Sequence, residues 1–265
     1  MDAARPRPGP RAAPTRAAAP PAATPAPRPA AAGAGASPTR YQQLFKTVEA
    51  QQYALQSAML GVLQRVERGE GPTGSALPSF AADMFTGFRQ GGQGNCVTVA
   101  AIKAAMTRFG TGGVFKGVRF DDAGNAQIWM RDGFRMNLSA QERALAARAS
   151  GFSGRDPRLL SYAQFYYAAA AKRAQLSGND GLRGMSYGQA LRSLNDGEFT
   201  DEGLRWLGLS QHIRPISAHW GNVARYTAVV GSNSGHAMFV SRGWVERYGQ
   251  ASGGQWGIFK TYALE

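Results

Sequence analysis

Cysteine is nearly absent: Cys96 is the only one in 265 residues. A lone cysteine forms no internal disulfide, so the fold asks for no oxidising compartment and suits a reducing cytosol. With only three histidines beside it, no closed zinc ligand set can be assembled. Walker A loops and dinucleotide-binding glycine fingerprints are missing as well, so neither a metal nor a cofactor is expected. Long apolar runs are also lacking. None approaches the ~18 residues needed to cross a bilayer, and no membrane span is expected. Acidic residues are scarce at the start, where Asp2 alone faces Arg5, Arg7, Arg11, Arg16, Arg28 and Arg40. Prolines interrupt every alanine run there, so the apolar core of a secretory signal peptide is missing. The expected location is the cytoplasm, or outside the cell by a route that needs no such signal.

Large apolar side chains are the other thing residues 1–40 lack. Ten of the fourteen prolines fall in this Ala/Pro/Arg-rich head. It cannot bury enough to offset its ordering entropy, and we expect disorder with some polyproline II. Residues 41–68 read as an amphipathic helix, with Phe45, Val48, Leu55, Met59, Val62 and Val66 on a 3-4 spacing and Gln52 in the seam. That stripe docks on the protein's own domain or on a partner. Gly69, Gly71, Pro72, Gly74 and Pro78 then mark a linker to residue 79.

The remainder, 80–265, reads as one α+β domain. A helix is expected from Cys96 through VTVAAIKAAMTRF, ending before Gly110. Strands at 126–131 and 134–138 flank the Asp132-Gly133 turn signal. Asp121-Asp122-Ala123-Gly124-Asn125 lacks the alternating ligands and closing glutamate of a calcium loop and reads as a hairpin turn. Capping-box patterns at Ser139/Glu142, Ser161/Gln164 and Ser186/Gln189 predict three helix starts. The end of the chain changes texture: residues 227–230, 236–240 and 256–263 are β-rich and separated by turn residues. Helices first and strands last argue α+β and not alternating α/β.

The stretch that carries chemistry is Gln90-Gly91-Gly92-Gln93-Gly94-Asn95-Cys96, running straight into a helix. A thiol ionises more readily at a helix N-terminus and beside an imidazole. Glycines let the backbone approach a carbonyl closely. The Cys96 N–H and a glutamine amide can both donate to a developing oxyanion. This block resembles the Gln-Gly-x-x-Gly-x-Cys block of papain-like cysteine peptidases, most closely its calpain-type form. The resemblance implies Cys96 as nucleophile and Gln90 as oxyanion donor, with Gln93 as a rival. It also implies a papain-like fold, in which a helical N-terminal part carries the cysteine and an antiparallel sheet carries the histidine. Val97 stands where the family usually has tryptophan.

Of His212, His219 and His236, the last follows a Ser232-Asn233-Ser234-Gly235 turn and opens an apolar strand. A general base needs such rigid support. Gly235-His236-Ala237 resembles the family's histidine block. Its separation of 140 residues from Cys96 falls in the roughly 130–150 typical of papain-type partners. His219 is the alternative. The resemblance places the imidazole's third partner two residues before Trp256-Gly257, where this chain has Gly254. Gln255 is the candidate. Glu246 and Gln250, read as loop residues, are others, and a Cys96–His236 dyad with no side-chain orienter is a further option.

The resulting expectation is a cysteine-dependent amide hydrolase acting on a protein or peptide. The same apparatus could deamidate glutamine or transfer an acyl group. The non-enzyme alternative is an inactive papain-like binding module, favoured by Gly254. The head joined to such a domain also resembles bacterial effectors. Net charge +13 alone does not select nucleic acid as a partner, because the tail arginines are interleaved with proline and not with stacking aromatics.

Overall fold

A computed structural model describes Leu77, Ser79, residues 82–254 and residues 257–265. The head, the helix expected over 41–68 and Gln255 lie outside the described residues. Every described residue belongs to one of the chain's two compact units, that of residues 48–265. Two residues of the expected linker already pack on it. Leu77 is buried in the main core, and the Ser79 hydroxyl accepts the Gly112 N–H at 3.1 Å.

The protein is mixed α+β. A short strand β1 (Phe88–Arg89) leads through the glycine block into α1 (Cys96–Phe109). Three antiparallel strands follow, β2 (Gly117–Phe120), β3 (Ala126–Trp129) and β4 (Arg135–Leu138). Next come α2 (Ala140–Ser150) and β5 (Ser153–Gly154), which pairs back onto β1, then α3 (Pro157–Ser177), α4 (Tyr187–Ser193) and α5 (Glu202–Trp206). The C-terminal part supplies β6 (Ile213–Pro215), α6 (Trp220–Val223), β7 (Val229–Ser232), β8 (Ala237–Ser241), β9 (Trp244–Arg247), β10 (Gln250–Gly253) and β11 (Lys260–Leu264). Its strands form one antiparallel sheet in the order β10-β9-β8-β7-β11-β6.

The sequence of α1 explains its position. Val97 to Met106 offers no polar stripe, and all ten residues are buried. With only Thr98 and Lys103 polar among these ten, the helix must be covered nearly all round; β7 and β8 lie against it, as do α3 and α5. Strands β7 and β8 alternate between two cores. Val230 and Phe239 join the large core with α1, while Val229, Met238 and Val240 join a smaller one with Val223 of α6 and Ile258. Buried tyrosines find carbonyls: Tyr166 donates to Thr111 at 2.6 Å and Tyr187 to Ala168 at 3.0 Å.

The capping boxes at Ser139 and Ser186 form as expected. The one at Ser161 does not. Asp156 starts α3 earlier, its carboxylate accepting the Arg158 and Leu159 N–H groups with Pro157 in the first turn. Ser161 is therefore inside the helix. The 121–125 segment is a hairpin turn, with Asp121 Oδ1 accepting the Asn125 N–H at 2.8 Å. A second correction concerns residues 244–253. They are the β9–β10 hairpin, so Glu246 and Gln250 are strand residues and not loop residues. Among the described residues, no helix is long and apolar enough to cross a membrane.

Candidate active site

The glycine block is clamped between two backbones. A Cβ at Gly94 would lie 2.6 Å from the Asn195 carbonyl oxygen, and one at Gly91 would overlap the Gly151 carbonyl. Only glycine allows both approaches. Gly94 pairs with Asp196 in an isolated parallel bridge. Asn95, the residue before α1, does not cap it. Its amide instead donates to the Ser150 carbonyl at 2.9 Å. The first turn of α1 thus has no side-chain cap and no acidic residue. Its first N–H groups and the positive end of the helix therefore meet no capping side chain and no carboxylate of that turn.

The histidine is set by a hairpin turn. Asn233 Oδ1 accepts the Gly235 N–H at 3.0 Å and the His236 N–H at 2.9 Å, and the Asn233 N–H returns to the His236 carbonyl at 3.0 Å. This places β8 so that the Ala237 N–H donates to Cys96 Sγ at 3.4 Å. Residues 141 apart in the chain thereby bring the thiol beside the residue that follows His236. The His236 ring stacks on Tyr248, centroids 4.9 Å apart and planes 20° apart. Burial, and then the positive charge of Arg247, lower the imidazole's pKa. At neutral pH the ring is neutral, the form a general base requires.

The other predicted residues fall out as follows. Gln90 is half-buried between β1 and the glycines, and its side chain makes no hydrogen bond to a described residue. Gln93 lies against Gly151, with Oε1 buried, so its amide is turned into the protein. His219 is exposed at the start of α6. His212 meets Phe109 edge-on at 5.1 Å, at the far end of α1, about 20 Å along the helix from Cys96 at 1.5 Å per residue. Gln250 is exposed and pairs with Arg247 across the hairpin. Glu246 does not face His236 either: it is buried against Lys103. Gly254 has φ +102, a conformation in which an asparagine would be strained. The His236 ring stacks on Tyr248 and lies within the electrostatic reach of Arg247.

Sequence reasoning missed two parts of this arrangement. The first is the β9–β10 turn, with Tyr248 at φ +49 and Gly249 at φ +83. The second is the 195–200 loop, which touches both halves. It meets the cysteine block at Gly94 and the end of β7 where Thr200 and Ser232 hydroxyls bond at 2.6 Å. Glu198 in this loop is pushed up to about 9 by burial and by its hydrogen bond to Glu202, so it stays protonated at neutral pH. A broad groove of about 970 Å³ opens between β2, β3, α2 and α4. Its lining, from Arg119 to Tyr187, includes no residue of the cysteine block or the histidine hairpin.

No family model matches the chain, and no curated protein or solved structure matches it significantly.

Proposed function

We propose that this chain is a cysteine-dependent amide hydrolase of papain-like architecture, acting on protein or peptide substrates through Cys96 and His236. The observation that carries the reading is the Cys96 thiol at the uncapped N-terminus of a buried helix, 3.4 Å from the amide that follows His236. His236 takes the thiol proton and Sγ attacks the carbonyl carbon. The carbonyl oxygen becomes an oxyanion, held by the Cys96 N–H and the Gln90 amide. Collapse breaks the C–N bond, and the amine leaves with the proton from His236. Water, deprotonated by the same imidazole, then cleaves the thioester. A glutamine side chain or an acceptor amine would turn the same steps to deamidation or acyl transfer.

The second reading is an inactive binding module. It is favoured by Gly254, whose φ of +102 does not suit the asparagine that would orient the imidazole. Labelling with a peptidyl vinyl sulfone separates the two. The hydrolase reading expects stoichiometric labelling of the parent, none for Cys96→Ala and at least about a hundredfold slower labelling for His236→Ala, general-base help being worth 10²–10⁴. A thiol that reacts equally fast in the parent and in His236→Ala supports the binding module.

A further inference from the structure

Lys103 is the one charged residue in the buried run of α1, and its side chain is fully buried. It lies seven residues after Cys96, almost two helical turns, and so on the same face. An ammonium has three N–H donors. Nζ donates to the Phe88 carbonyl at 2.6 Å, the Met84 carbonyl at 2.7 Å and the Phe85 carbonyl at 3.4 Å, and it forms an ion pair with Glu246 Oε1 at 3.3 Å. It also sits 4.5 Å from the Phe88 ring centroid. The same Glu246 oxygen accepts the Gly249 N–H at 2.6 Å. That bond fixes the β9–β10 turn, whose Tyr248 covers His236. Gly249 in turn lies under the Arg89 stem, a Cβ there falling 3.1 Å from Arg89 Cδ.

Resting on the hydrolase reading, we propose that Lys103 and Glu246 are the positioning residues of this site. One buried ammonium ties the nucleophile helix, the strand that leads into Gln90 and the turn that covers His236 into a single register. Neither residue touches substrate. α1 begins at Cys96, β1 leads into Gln90, and the β9–β10 turn holds the ring stacked on His236. The charged groups acting on Lys103 are Glu246 on β9 and Asp83 ahead of β1; β8, packed on the same helix, brings none. Burial pushes the lysine down to about 8 against the pull of Glu246. Deprotonation as pH rises through about 8 removes the ion pair with Glu246 and one of the three donors, and so loosens the anchor.

The test is the rate of Cys96 labelling by a peptidyl vinyl sulfone divided by its rate with iodoacetamide, from pH 6 to 10, on the full chain. The division removes the thiolate fraction and leaves the geometry. In the parent the ratio should fall as pH passes about 8. Lys103→Met should lower the ratio 10- to 100-fold, the cost of roughly 1 Å of misplacement, and flatten the profile. Glu246→Gln keeps an acceptor for Gly249 but removes the anion that supports the ammonium, so the fall should move to lower pH. A merely structural pair would lower the melting temperature and leave ratio and profile unchanged, and that result overturns the proposal. If neither variant folds, a parent ratio that stays level to pH 10 overturns it. A parent whose labelling does not depend on His236 sinks the hydrolase reading itself, a different outcome from labelling that depends on His236 but ignores Lys103.

Discussion

The two halves of the candidate site are held by different physics. The cysteine half is fixed by backbone contact: Gly91 and Gly94 are pressed against Gly151 and Asn195, and α1 is buried over ten consecutive residues. The histidine half is fixed by a turn and a ring, the Asn233 bonds beneath His236 and Tyr248 over its face. The first half has almost no freedom to relax. The second is half-exposed, with Tyr248 stacked on the ring and Arg247 acting on its charge. The position of Cys96 is thus set by packing, while His236 is restrained by its own hairpin and by Tyr248.

Three substitutions break or sharpen that contrast. Gln90→Ala removes the side-chain oxyanion donor and should slow turnover of an amide substrate by 10²–10³-fold, about 3 kcal/mol. The melting temperature should hardly move, since the Gln90 side chain bonds to no described residue. An unchanged turnover rate would show that Gln90 is not the donor. Gly94→Ala forces a methyl against the Asn195 carbonyl and should destabilise by about 1–3 kcal/mol, as overpacking does; urea unfolding measures it. The smallest effect is expected on the other half. Tyr248→Ala loses a stacked pair worth about 0.5–1.5 kcal/mol and opens the His236 ring to water. Burial depresses this imidazole below its ordinary value of 6.5, so the acid limb of the rate profile should lie below that value in the parent. In Tyr248→Ala it should rise toward 6.5, while Arg247 still opposes protonation. The linkage sign agrees. The unfolded chain takes up the proton first, so this histidine makes stability fall as pH drops from 6.5 to the folded pKa. An acid limb that does not move would mean that Tyr248 does not shield the ring.

Legibility followed locality. Residues 96–109 could be read as a helix because every residue from Val97 to Phe109 tolerates one and Gly110 ends it. The His236 turn could be read because Asn233 and Gly235 are turn formers by their own chemistry. The α3 start was misread because two valid starts compete, and Asp156 with Pro157 comes first. The β9–β10 turn was invisible for a related reason: its first positive-φ residue is Tyr248, and a tyrosine does not announce a left-handed conformation. Lys103 was the least legible of all. A lysine among alanines reads as a solvated face, and its burial is explained only by the Met84 and Phe88 carbonyls and by Glu246, 143 positions later. Gly254 was weighed as the vacant asparagine position, yet φ +102 shows that the backbone there does not suit one.

The six-stranded sheet has one more consequence, at its margins. One margin is β6, three residues long and closed by Pro215, which has no N–H to offer. The other is β10, Gln-Ala-Ser-Gly, largely exposed and short. Neither offers a long apolar row of free amides, and such rows are what recruit a foreign extended chain. A polypeptide therefore gains little by joining this sheet as a seventh strand. The exposed apolar surface nearer the cysteine block lies instead on the 195–200 loop, where Phe199 stands 71 % exposed and Lys260 lies 6.0 Å from its ring centroid.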